Sequence, residues 1–152
     1  MKNNKGFTLI ELLAVIVILA IIALITTPIV LNIINQSKEA ANRRSVEAYA
    51  KAVEYAVMEF EYENNGELPS SADDRAWVLA HINYANSDVK CKIKVNCDTN
   101  KTGAVQLSNC QVGSYTNSYY KYDGAANSTF DGAEKDTTNT DTITASSMEA
   151  CN

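Results

Sequence analysis

Glu11 is the one charged side chain between Lys5 and Lys38, and it stands at the edge of a long apolar run. A carboxylate carried into hydrocarbon is costly, so an acid in this position is functional by default and needs a partner. Other chemistry-bearing residues are sparse. His81 is the single histidine and, beside Trp77, reads as packed or solvated rather than catalytic. Asp73 and Asp74 read as first-turn helix charges, not as a general acid/base pair. The four cysteines, Cys91, Cys97, Cys110 and Cys151, fall in the C-terminal half, and none has the CxxC spacing of zinc or dithiol redox sites. An even number in a small, loop-rich segment favours one or two disulfides, with buried thiols as the alternative. No phosphate loop, metal cluster or nucleophile constellation appears in the sequence. The expectation is a protein with no catalytic residues, no cofactor and no metal.

The formal charge is −5, and the only local basic cluster is Lys90, Lys92 and Lys94. Phosphate binding needs clustered Lys and Arg, so the charge argues against a nucleic-acid grip, and any such contact is expected to be indirect.

The element that positions Glu11 is the apolar run itself. Leu12 to Ile25 are 14 consecutive apolar residues, and the character resumes from Ile29 to Ile34 after Thr26, Thr27 and Pro28. From Leu12 to Ile34 is 23 residues, enough to cross a bilayer at about 1.5 Å rise per residue. Lys2 and Lys5 precede the run, which predicts a cytoplasmic N-terminus and an exported C-terminal head. A secretory signal would place a small-x-small cleavage site after the run, and none is there. The small residue lies before it, in Lys5-Gly6-Phe7-Thr8-Leu9-Ile10-Glu11-Leu12-Leu13.

That stretch resembles the N-terminal signal of type IV prepilins and pseudopilins. The resemblance covers about the first sixty residues and carries onto Gly6, Phe7, Glu11 and Pro28. It implies cleavage by a membrane peptidase after Gly6, N-methylation of the new N-terminal Phe7, and retention of the membrane helix. Residues 1–6 are then a leader, 7–34 the transmembrane and assembly helix, and 35–152 the outer half of the helix with a globular head. Cleavage removes Lys2 and Lys5, leaving 11 basic against 18 acidic residues. It also creates an amine on Phe7, four residues before Glu11 and on the same helix face. The resemblance implies that Glu11 pairs with the Phe7 amine of a neighbouring subunit and so sets the register of a filament. The implied partners are other copies and other pilins, the prepilin peptidase and methyltransferase, and the assembly machinery of the membrane. The subunit is expected as a single-pass membrane protein before assembly and as part of an extracellular filament afterwards.

Pro28 lacks a backbone donor and clashes with the preceding turn, which predicts a kink or local melting from Leu24 to Ile29. Thr26 and Thr27 are placed to satisfy freed carbonyls. Beyond Ile34 the helical signal persists. Val46, Tyr49, Ala50, Val53, Ala56, Val57 and Phe60 recur at three-to-four spacing, and Asn64-Asn65-Gly66 with Pro69 is a stop signal. A helix from Phe7 to Asn64 would be about 58 residues, or roughly 87 Å.

Ser71 reads as the N-cap of a short second helix running to about Ala85. The period then becomes two, with Val89, Cys91, Ile93 and Val95 alternating against the three lysines. A hairpin over 98–103 leads into a strand from Ala104 to Val112, and Tyr115 to Tyr122 is a third. The fold class is therefore α+β, a pilin-like long helix packed on a small antiparallel sheet. Residues 123–147, rich in Asn, Thr, Ser and Gly, are expected to form an exposed loop or loosely held edge.

A register with Val95 opposite Val105 and Ile93 opposite Leu107 puts both apolar sets on the core face. Cys91 and Cys110 then point to opposite faces, which disfavours a bridge. Cys91 and Cys97 lie about 20 Å apart along an unbroken strand. The resemblance favours Cys110 with Cys151, leaving Cys91–Cys97 as the remainder.

Three functions follow for comparison. The first is a pilin of a type IV pilus or related filament, and the second a pseudopilin of a type II secretion or competence DNA-uptake machine. The third, of another class, is a membrane-anchored adhesive module using Tyr115, Tyr119, Tyr120 and Tyr122 beside Lys121, although alternating tyrosines more often pack a sheet face.

Overall fold

The computed structural model describes residues 6–85, 88–96, 104–113, 119–124, 132–137 and 143–150. The chain divides into two compact units, Met1–Glu39 and Ala40–Asn152, and one helix contributes to both. That helix, α1, runs from Leu9 to Glu63. In the first unit its large apolar side chains are exposed on every side. Residues 24–29 are helical throughout, so the expected local melting at Pro28 is not observed. The Thr26 hydroxyl donates to the Ile22 carbonyl at 2.9 Å and Thr27 to Ala23 at 2.6 Å. Both hydroxyls therefore bond back to carbonyls of the turn preceding the proline, a pairing that tends to bend a helix, and the Leu24 carbonyl opposite its missing N–H is not their target.

In the second unit the three-to-four pattern becomes a buried face, with Val46, Tyr49, Ala50, Val53, Ala56, Val57 and Phe60 all in the core. The helix stops where polar termination signals were read. Asn65 and Gly66 take positive φ, and the Gly66 N–H donates to the Glu61 carbonyl at 2.8 Å, the six-to-one bond that closes a helix end.

The second helix, α2, spans Ala72–His81 and opens on Ser71 with a full capping box to Asp74. The Ser71 backbone N–H and hydroxyl hold the Asp74 carboxyl below its ordinary range. α2 ends four residues before the expected Ala85 because Ile82 turns to extended backbone. This brings Tyr84 against Tyr49 edge-on, with ring centroids 5.4 Å apart, and lets its hydroxyl donate to the Ser45 carbonyl. Tertiary packing outweighs the weak propensity of one more helical turn.

Five strands follow: β1 Val89–Val95, β2 Val105–Val112, β3 Tyr119–Asp123, β4 Ala133–Asp136 and β5 Ser147–Met148. They form one sheet in the order β4-β3-β2-β1-β5. The first three pair antiparallel, as expected, β4 adds a fourth antiparallel strand, and β5 pairs parallel to β1, so the sheet is mixed. β4 and the first residue of β5 fall within residues 123–147, read as an exposed loop or loosely held edge, and the two strands form the edges of the sheet. Their anchors are few but deep: Ala133 and Asp136 are buried, and the Tyr49 hydroxyl donates to Ser146 Oγ at 2.8 Å.

The predicted β1–β2 register holds at Val95–Val105, Ile93–Leu107 and Lys92–Ser108. It then shifts by one residue, so that Lys90 faces Gln111 and Val89 faces Val112. Asn109 supplies the extra residue at φ 50°, a conformation asparagine tolerates. The bulge turns Cys110 onto the core face beside Cys91, and the two are joined in a disulfide with Cα atoms 4.1 Å apart. The expected Cys110–Cys151 and Cys91–Cys97 pairings are thereby corrected, because the parity argument against Cys91–Cys110 assumed an unbroken ladder. Cys97 and Cys151 lie outside the described residues.

Candidate functional site

The start of α1 gathers the residues singled out by chemistry. Gly6, Phe7 and Thr8 precede the helix in irregular backbone, and Phe7 is 88% exposed. A Cβ added at Gly6 would meet nothing within 4 Å. Among the described residues no packing therefore demands glycine there.

Glu11 sits on the first turn of α1. The sequence suggested a partner in the Phe7 amine. In the uncut chain Glu11 Oε2 instead accepts from the Thr8 backbone N–H at 2.8 Å and from the Thr8 hydroxyl at 2.7 Å. The Glu11 N–H in turn points to Thr8 Oγ1 at 3.4 Å. This is a reciprocal capping box, with Thr8 as N-cap and Glu11 three residues on. It satisfies N–H groups that the helix leaves orphaned and places negative charge at the positive end of the helix dipole. The signal was legible as Thr-x-x-Glu before an apolar run, and sequence reasoning missed it by treating Glu11 only as half of an ion pair.

Along the following residues α1 is long and apolar enough to cross a membrane, and its most apolar stretch is wholly exposed within the chain. Burial of that surface must come from outside the chain.

The remaining candidates lie elsewhere. Tyr119 and Tyr120 are buried in the sheet, and the half-buried Tyr122 donates its hydroxyl to Glu54 Oε1 at 3.2 Å. These three are packing and anchoring groups, which removes them from the binding surface considered for the adhesive reading; Tyr115 lies outside the described residues. His81 stacks on Trp77 with ring centroids 3.7 Å apart, and its Nδ1 lies 2.8 Å from the Trp77 carbonyl, so it closes the end of α2. Among the described residues no cluster of His, Cys, Asp and Glu has the geometry to hold a metal.

An exposed apolar helix that opens on glycine, phenylalanine and a capped glutamate, and later backs a small sheet, defines a pilin-like subunit. A family model described as the prokaryotic N-terminal methylation motif matches residues 1–27. The competence protein ComGC of Bacillus subtilis is 33% identical over 89 residues, covering 59% of this chain and 82% of that protein. The ComG operon protein 3 homolog of Bacillus licheniformis is 28% identical over the same length and shares. The chain belongs to the family of the competence protein ComGC. No solved structure matches it.

Proposed function

We propose that this chain is the pilin-like subunit of a competence-type filament. It is cut after Gly6, methylated on Phe7 and polymerised through α1, and it has no enzymatic role of its own. The observation that carries the reading is the wholly exposed apolar stretch of α1 with Glu11 as the carboxylate at its start, five residues after the unpacked Gly6.

The chemistry is a switch. Before cleavage, the Thr8 cap satisfies Glu11 within its own chain, and Lys2 and Lys5 hold the N-terminus on the cytoplasmic side. Cleavage at Gly6–Phe7 removes both lysines and creates an ammonium at Phe7. A carboxylate and an ammonium of adjacent copies neutralise each other in a low-dielectric core far more strongly than in water. The pairing also fixes the axial step between subunits. On this reading residues 1–6 are the leader, 7–34 cross the membrane before assembly, and the head faces outward. The peptidase and methyltransferase act first, the assembly machinery second. The name carried by the relatives favours competence over the type II secretion alternative, with which the N-terminal chemistry is shared.

The test is to shear filaments from cells that express the chain and sequence the released subunit. An N-terminus at methylated Phe7, and loss of transformation by added DNA when the gene is deleted, support the proposal. A full-length subunit with Met1 intact in the filaments, or unchanged transformation in the deletion strain, refutes it.

A further inference from the structure

The stretch of α1 in the second unit carries two faces. Val46, Val53, Val57 and Phe60 turn inward to the sheet. At about 100° per residue, Tyr55, Met58 and Tyr62 lie within a sector diametrically opposite. All three are large and solvent-facing: Tyr55 is 70% exposed, Met58 51% and Tyr62 89%. Acids flank them towards the end of the helix, with Glu59 and Glu63 exposed and Glu61 half-buried, while the exposed Lys51 shares the sector one turn before Tyr55. Met58, Glu61, Tyr62, Asn65 and Gly66 line a shallow open hollow at the end of the helix. A hollow with a thioether, a phenol ring and a carboxylate suits one kind of side chain. It would take a lysine, whose methylenes lie on the apolar wall while the ammonium reaches the acid and the ring face.

The same head carries that ligand on its other surface. In β1, Val89, Cys91, Ile93 and Val95 are buried in the core with α1, so Lys90, Lys92 and Lys94 lie on the opposite face of the sheet, each half-buried, with the buried Gln111 opposite Lys90. Among the described residues none of the three lysines, nor Glu59, Glu61 or Glu63, has an ion-pair or hydrogen-bond partner for its side chain. Three like charges at alternate positions of one strand repel one another, and among the described residues Glu149, which follows β5 beside the end of β1, is the acid next to them in the sheet.

We propose that the Tyr55–Met58–Tyr62 face of one copy receives the Lys90–Lys92–Lys94 face of a second copy. The two patches are complementary in charge and in chemistry, and they lie on opposite outer surfaces of the head. A contact between different patches is heterologous, so it leaves one free patch at each end and propagates instead of closing a dimer. It gives the heads a directional contact independent of Glu11, and it accounts for large aromatic and thioether groups on a solvent-facing helix surface. The proposal rests on the filament reading above, since only an open-ended array uses both patches of every copy. Because the pairs lie near the surface, the contact weakens as salt is raised.

The experiment replaces Tyr62 in the full chain with the photoreactive p-benzoylphenylalanine, assembles filaments in cells and maps cross-links by mass spectrometry. Cross-linking from position 62 to the peptide carrying Lys90–Lys94 of another copy is expected. It is expected to be lost in Lys92→Glu and to return when Glu61→Lys is added to the same chain. Filaments whose cross-links run to a different peptide, or that keep the same cross-link in Lys92→Glu, overturn the head contact and leave the filament reading standing. Wild-type cells that form no filament overturn both.

Discussion

The backbone N–H of Ala133 donates to Glu47 Oε1 across 2.9 Å, tying the first residue of β4 to α1. Two turns further along α1, Glu54 Oε1 accepts from the Tyr122 hydroxyl at 3.2 Å and so holds β3. The polar edge of the head is thus fastened to the helix by two carboxylates spaced seven residues apart. Gly132 makes the first contact possible. Its φ is +78°, and a Cβ there would collide with the Glu47 carboxylate.

Gly132→Ala is accordingly expected to destabilise the head by about 2 kcal/mol, from the strain of positive φ and the displaced hydrogen bond. Glu47→Ala removes the same hydrogen bond. Combining the two should cost less than the sum, because only the backbone strain is then new. Chemical unfolding of the detergent-solubilised full chain, followed through Trp77 fluorescence, measures the cycle; strict additivity would refute the shared contact.

Tyr122 titrates late. Partial burial, and secondarily the Glu54 carboxylate, push its hydroxyl from 10.0 to about 12. The folded value lies above the unfolded one, so the contribution to stability is complete below pH 10 and is lost as pH rises through about 12. Phenolate absorbance should show a last-ionising tyrosine near pH 12 that disappears in Tyr122→Phe and moves to lower pH in Glu54→Gln. Tyr49, raised by burial against the Ser146 hydrogen bond, serves as the internal comparison. An unchanged late phase in Tyr122→Phe would assign it elsewhere.

The disulfide gives a third expectation. Cys91 and Cys110 are separated by 19 residues and are both fully buried. Closing a loop of that size stabilises a fold by about 3 kcal/mol, mainly by restricting the unfolded chain. A non-reduced digest should yield the Cys91 and Cys110 peptides linked, and Cys91→Ser with Cys110→Ser should lower the midpoint of unfolding by a corresponding amount. A Cys110–Cys151 peptide in that digest would restore the pairing that the bulge excludes.

How far the sequence spoke depended on whether the signal was local. The apolar face of α1, the cap at Ser71 and the Val95–Val105 register were readable because each follows from spacing within a few residues. The bulge at Asn109 was not. One residue inserted into an antiparallel ladder leaves no periodic mark, yet it reverses which face every later side chain takes. β4 and β5 were illegible for another reason. Their sequences are polar, and their hold on the fold comes from Glu47, Tyr49 and β1, all distant along the chain. At the functional end Gly6 and Glu11 stood out by type, while the role of Thr8 needed the geometry.

The Thr8 cap separates two explanations of Glu11 that the residue's position alone leaves merged. If Glu11 serves to begin α1, any side chain able to accept from the Thr8 N–H will do, and Glu11→Gln, whose amide oxygen can accept there, should assemble normally. If its charge pairs with the Phe7 ammonium of a neighbour, Glu11→Gln should be cut after Gly6 yet fail to enter filaments, as should Glu11→Ala. The proposed switch predicts the second result, because a neutral amide leaves the ammonium buried without a counter-charge, a cost of several kcal/mol. Gly6→Leu, by contrast, should accumulate as uncut precursor in the membrane, since bulk at that position obstructs the peptidase and disturbs nothing within the chain. Immunoblots of membrane and sheared fractions read all four outcomes, and filaments of normal abundance from Glu11→Gln would reduce Glu11 to a helix cap.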